Sequence, residues 1–211
     1  AVLRDQLVMS PEGMDFSQFT KRPVSIRGGS DLSGVISREF SVRLKSLPEV
    51  HTGIIRGLGR YFAEQLLQKN QPIQNRDPKT LATPENIKDM WQLFQANPFS
   101  ALSHVRGYTF RVADAIRAHL QIAPSAPCRL IALVAYTLTV TCERLGHTYL
   151  DFDALRDAIA DMAPDVNPDD ALAVALADGH TVLNQDNRYY PATLYRAEWS
   201  LAQKLARRRH T

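Results

Sequence analysis

Glycines beside arginines can perform one piece of chemistry without any catalytic side chain: they can hold a phosphate. A glycine lets the backbone turn tightly and approach a partner that a Cβ would obstruct. The amides that open a helix carry positive partial charge and point at an anion. Two stretches of the chain share a spacing suited to this, running Gly, apolar residue, Gly or a small residue, three residues, then Ala. The first is Arg56-Gly57-Leu58-Gly59-Arg60, followed by Ala63, within Ile54 to Leu67. The second is Arg106-Gly107-Tyr108-Thr109-Phe110-Arg111, followed by Ala113, within Leu102 to Ile116. In each, the central apolar residue (Leu58, Tyr108) would tuck into the core and the alanine would let two helices pack closely. The arginines at 56, 60, 106 and 111 would reach neighbouring phosphates. The other reading of the same residues is a pair of helix corners that only pack.

Both stretches resemble the helix-hairpin-helix motif. The first keeps both glycines and is expected to be the stronger phosphate site; the second has Thr109 at the second glycine position. Asn97-Pro98-Phe99 through Ala113-Asp114-Ala115-Ile116 is in turn similar to the stretch preceding the motor of RecD-like superfamily 1 DNA helicases. So are Gly146-His147-Thr148-Tyr149-Leu150 and the closing Tyr190-Pro191-Ala192-Thr193-Leu194-Tyr195-Arg196. The resemblance spans roughly residues 50–205. It implies a DNA-binding region that grips the phosphate backbone of single-stranded or forked DNA without reading sequence, in the setting of DNA repair or recombination. It further implies a motor domain in the same polypeptide. No G-x-x-x-x-G-K-[ST] occurs, since no lysine follows a glycine, so no ATP-cradling loop lies in these residues. ATP and magnesium are expected only with a motor, and no cofactor is expected in this stretch.

The framework around these residues can be read from the hydrophobic pattern. Residues 1–50 carry two alternating stretches, Pro23 to Arg27 and Phe40 to Leu44, around Gly28-Gly29-Ser30-Asp31, which suggests a small β arm. Residues 51–125 read as a helix-hairpin-helix domain, with Thr83 capping a helix that starts at Pro84 and a polar loop over 69–83. Residues 126–211 open with a long helix from Cys128 to Leu145 closed by Gly146. An amphipathic helix over 151–162 comes next, with Phe152, Leu155, Ile159 and Met162 as its stripe. Then come a helix from Pro168 to Gly179 and two short strands around Asn184-Gln185-Asp186-Asn187. That order is winged-helix-like. A last helix, Ala192 to Arg209, would face inward through Leu194, Tyr195, Trp199, Ala202 and Leu205. The expected class is mainly α: a helix-hairpin-helix bundle, a winged-helix-like subdomain and a short N-terminal β segment.

Composition narrows the remaining options. A net charge of +3 is compatible with nucleic acid without requiring it. No apolar run approaches the ~18 residues of a membrane span, and no secretory signal pattern opens the chain. Its first residue is not Met, as in a processed or excised piece. Cys128 and Cys142, both in apolar helical context, read as free thiols of a reducing, cytoplasmic setting. The six histidines show no zinc spacing. Asp151, Asp153, Asp157 and Asp161 form a charged helix face rather than a converging metal site. The helix from Pro168 lacks Lys and Arg, which disfavours base reading in a DNA groove. Trp91, Phe94, Phe99 and Tyr108 are candidates for a platform on which single-stranded bases stack, but Trp91 and Phe94, at helical spacing, read as core. A helical surface with an acidic belt leaves a second class open, a protein-interaction or scaffolding module that does not touch DNA.

Overall fold

Phe40 sits at the centre of the N-terminal packing, its ring 5.1 Å from Phe62, 5.3 Å from Phe94 and 5.4 Å from Trp91. The computed structural model describes residues 29–70 and 77–208. Phe40 belongs to α1 (Gly29–Leu44), a helix where alternation predicts a strand over Phe40 to Leu44. Leu32, Ile36, Phe40 and Leu44 recur every fourth residue and are all buried, while Val42 is 66% exposed. The five-residue alternation is one end of this longer helical stripe. The other expected strand, Pro23 to Arg27, and the turn residue Gly28 lie outside the described residues.

α2 (Thr52–Lys69) packs along α1 more extensively than any other two elements do. A short 3-10 helix (Pro78–Leu81) leads to α3 (Pro84–Ala96). Thr83 caps α3 as its spacing predicts, Oγ1 accepting from the Asn86 amide at 3.2 Å. α4 (Pro98–Leu102) and α5 (Phe110–His119) come next. The long α6 (Pro127–Leu145) ends on Gly146, whose φ of +69° completes a left-handed cap.

α7 (Phe152–Met162) and α8 (Pro168–Asp178) both pack on α6. β1 (Thr181–Leu183) and β2 (Tyr189–Pro191) pair antiparallel, with Val182 opposite Tyr190. Leu150 joins the outer side of β2 through reciprocal bonds with Tyr189, at 3.0 and 2.8 Å. One apolar core runs unbroken from Leu32 in α1 to Tyr189 in β2.

Two apolar stripes are narrower than the sequence suggests. In α7, Leu155 and Ile159 are fully buried, but Phe152 and Met162 at the helix ends are 37% and 38% exposed. α9 (Ala192–Arg208) meets the β-hairpin through its first turns, where Tyr195 lies edge-on to Tyr190 at 5.3 Å. Leu201 and Leu205 beyond them are 59% and 53% exposed.

Candidate nucleic-acid interface

The α4–α5 connection is a tight hairpin. Asn97 opens α4, its Oδ1 accepting from the Ser100 amide at 3.1 Å, with Pro98 in the first helical position. The amides of Ser103 and Val105 fold back onto Phe99 and Leu102 carbonyls at 2.9 and 2.8 Å. A reverse turn then closes from the Tyr108 amide to the Val105 carbonyl at 3.1 Å, with Gly107 at φ +81°. That backbone conformation is what the glycine supplies; space is no issue, since a Cβ there would meet nothing within 4 Å.

Thr109 is not a degraded glycine but the N-cap of α5. Its backbone is extended, and its Oγ1 accepts from the Val112 amide at 3.3 Å. The amides of Arg106, Gly107 and Thr109 find no protein acceptor among the described residues. Those of Phe110 and Arg111 have no intrahelical acceptor, as at any helix start. A run of donors without a protein acceptor therefore borders the N-terminal end of α5, with the exposed side chains of Arg106 and Arg111 beside it. Beneath them Tyr108 is half-buried and edge-on to Tyr136 at 5.4 Å, and burial raises its phenol pKa, so it stays protonated. Ala113 is fully buried.

The first glycine pair is not a hairpin. Gly57-Leu58-Gly59 lies inside the continuous α2, where Ile54, Leu58, Phe62 and Leu66 keep an unbroken buried stripe. Here the glycines admit neighbours. A Cβ on Gly59 would stand 2.0 Å from Ser37 Oγ and 2.5 Å from the Ser33 carbonyl of α1. One on Gly57 would stand 2.3 Å from Val105 Cγ1. Leu58 and Gly59 are both buried, Gly59 directly against α1. Gly57 instead seats the α4–α5 hairpin against α2, and Tyr61 stacks on His104 at 4.9 Å one turn further on. Arg56 and Arg60 are exposed on this stretch of α2. Like Arg106 and Arg111, they form no ion pair among the described residues.

Residues 87–149 match the family model of the helix-hairpin-helix domain of ATP-dependent RecD2 DNA helicases. Over these residues the chain is similar to the helix-hairpin-helix region of RecD2-type helicases. No solved structure matches the chain. The match takes in α3 to α6 with the hairpin at 103–109 and leaves out α2, which agrees with a single true hairpin among the two glycine-bearing stretches.

The 103–109 hairpin is locked to the C-terminal helices by residues that the glycine pattern does not reveal. Arg129 on α6 is 3% exposed and uses every guanidinium donor. Its Nε and Nη2 bind Asp114 of α5 at 2.7 and 3.0 Å. Its Nη1 and Nη2 bind Asp165 in the α7–α8 loop at 2.9 and 3.1 Å, and Nη1 also donates to the Pro124 carbonyl at 3.1 Å. Arg117 completes the cluster, Nε donating to Asp114 at 2.6 Å and Nη1 to the Ile122 carbonyl at 2.7 Å. Burial pushes the Asp114 pKa up, but its bonds to Arg129 and Arg117 outweigh that and hold it below the ordinary carboxylate value. Bonds from Arg129 likewise lower Asp165. Asp165 thus has structural work here, and Asp151 of the acidic face has it as N-cap of α7, accepting from the Ala154 amide at 2.9 Å. An Asp and an Arg three apart (114 and 117), with an Arg inside an apolar helix (129), were the available signals.

Proposed function

We propose that this chain binds DNA by its phosphate backbone, without reading sequence, as the N-terminal region of an ATP-dependent RecD-like helicase. The observation that carries this reading is the hairpin at 103–109. Its unpartnered amides of Arg106, Gly107, Thr109, Phe110 and Arg111 border the start of α5, in a segment that matches the RecD2 family model. Arg106 and Arg111 supply charge at the hairpin, and Arg56 and Arg60 extend it along α2. Gly57 takes part by seating the hairpin. Leu58 and Gly59 have no part in contact.

The stretch from α6 to β2 supports a winged-helix-like subdomain, because Leu150 adds a third extended segment beside β2 after the helix pair α7 and α8. With no basic residue on α8, its role is docking rather than groove reading. The motor, carrying ATP and magnesium, would belong to the same polypeptide, and the setting would be DNA repair or recombination in the cytoplasm.

Anisotropy titrations with single-stranded, forked and duplex DNA test the reading. Affinity should fall steeply with salt, the slope of log K against log[salt] scaling at roughly 0.7 to 0.9 per phosphate contacted. Absence of binding at low salt would favour the rival reading, a protein-docking module using the exposed Leu201 and Leu205 of α9.

A further inference from the structure

Trp91 is core, as its helical spacing predicts, and the exposed aromatic face lies elsewhere. Trp91 is packed against Phe40 and carries the Arg43 guanidinium 5.0 Å above its ring. Tyr149 is covered by Arg188 at 4.5 Å. His104 differs. It stands in the hairpin itself, exposed, with its ring laid on Tyr61 at 4.9 Å and 26° between planes. Among the described residues no second ring and no guanidinium covers its other face.

The ring is also held in place. Its Nδ1 lies 2.9 Å from the Ser100 carbonyl, which can only accept, so Nδ1 carries the proton. The Ser103 hydroxyl sits 3.3 Å from the same nitrogen. Stacking below and this bond at the edge fix the orientation, and Val105 wedged at Gly57 fixes the loop. An exposed aromatic face of set direction thus lies two residues from Arg106, within about 7 Å along the backbone.

We propose that His104, backed by Tyr61, is a stacking site for an unpaired nucleobase of the strand whose phosphate the hairpin holds. The inference rests on the DNA-binding reading and adds a preference to it. In duplex DNA the base faces are occupied by their neighbours, so a flat ring beside a phosphate site can be used only by a single strand, a frayed end or a fork. Every base has such a face, so the site is indifferent to sequence.

Three proteins, wild type, His104→Ala and His104→Phe, titrated with an unstructured single strand and with a blunt duplex, test this. His104→Ala should lose on the order of tenfold in single-strand affinity with duplex affinity unchanged. His104→Phe should restore single-strand binding, since a phenyl ring stacks without the Nδ1 bond. A 2-aminopurine in the strand should change fluorescence on binding wild type and His104→Phe but not His104→Ala. Unchanged single-strand affinity in His104→Ala, or an equal loss on both DNA forms, overturns the proposal. Replacing Arg106 and Arg111 with Gln separates the two ideas. If that variant binds as wild type does while His104→Ala still loses the single strand, stacking stands and the phosphate reading falls. Wild type binding neither DNA form removes both.

Discussion

Arg129 of α6 holds Asp114 of α5 through two parallel bonds, at 2.7 and 3.0 Å, and the same guanidinium reaches on to Asp165 past the end of α7. One nearly buried side chain therefore ties the helix that opens at the 103–109 hairpin to the C-terminal helices. A buried charge with all its donors satisfied is costly to disturb, because removing one partner leaves the others desolvated and unmatched. Arg129→Leu should lower stability by about 3 kcal/mol, at the lower end of the range for broken buried pairs, since Arg117 still partners Asp114. Urea unfolding would check it. A loss well below 1 kcal/mol would mean that the cluster is a surface decoration (exposed pairs contribute about that little).

The same cluster sets an acid response. Asp114 and Asp165 both have folded-state pKa values below the unfolded value, so their contribution is fully present above roughly pH 4 and is lost as pH falls through the folded values. The side chain of Asp114 is 24% exposed and that of Asp165 is 56%, so most of the effect belongs to Asp114. Asp114→Asn should be less stable than wild type at pH 7, with the difference shrinking as pH drops below about 4. Thermal melts across pH 2 to 7 would show two converging curves; parallel curves would exclude this origin.

Glycine spacing was legible in the sequence, but the work each glycine does was not. Gly57-Leu58-Gly59 looks more like a phosphate hairpin than Gly107-Tyr108-Thr109, yet only the second turns. Local triplets cannot separate a glycine that bends the chain from one that lets a neighbour in. The fourfold stripe Ile54, Leu58, Phe62, Leu66 could have decided it, because such a stripe does not survive a turn at Gly57. Thr109 was equally readable as a cap, being a threonine directly before a helical run. The caps at Thr83 and Gly146 are equally local signals, a threonine before one helical run and a glycine after another. The Phe40 strand failed because five residues of alternation fit a helix edge as well as a sheet. Asp114 and Asp165 lie 51 positions apart, from 114 to 165, and only the fold brings them to one guanidinium.

The packing role of the α2 glycines gives a graded outcome. Gly59→Ala places a methyl against the Ser33 backbone carbonyl, which cannot rotate away, so it should destabilise by about 1–3 kcal/mol through overpacking. Gly57→Ala meets a valine side chain instead, and alanine gains up to about 1 kcal/mol in helix propensity, so its net cost should be smaller. Val105→Ala should relieve Gly57→Ala and leave Gly59→Ala unrelieved. A double-mutant cycle by denaturant unfolding that shows no coupling between 57 and 105 would contradict the contact.

The four arginines should divide by distance from the hairpin. Replacing Arg106 and Arg111 together by Gln removes charge beside the free amides, and should lower both affinity and the salt slope on every DNA form. Replacing Arg56 and Arg60 should act in the same direction but less, because they sit on α2 and touch the hairpin only through their neighbours Gly57 and Tyr61. Titrations at several salt concentrations rank the pairs; a larger effect from the α2 pair would shift the site onto that helix.

Thr109 separates the fold of the hairpin from its charge. Its hydroxyl satisfies the Val112 amide at the start of α5, and Thr109→Ala removes that acceptor, at a cost of about 1 kcal/mol for a helix cap. Fraying of the first turn would misalign the Phe110 and Arg111 amides as well, so DNA affinity should fall although no charge is lost and the salt slope stays nearly constant. Thr109→Ser keeps the acceptor and should retain both stability and affinity. Thr109→Gly, which restores the glycine of the motif pattern, should lie between the two, since glycine caps almost as well as threonine but loosens the backbone. If Thr109→Gly bound DNA more tightly than wild type, the threonine would be a weakened copy of a glycine after all, and the cap would be incidental.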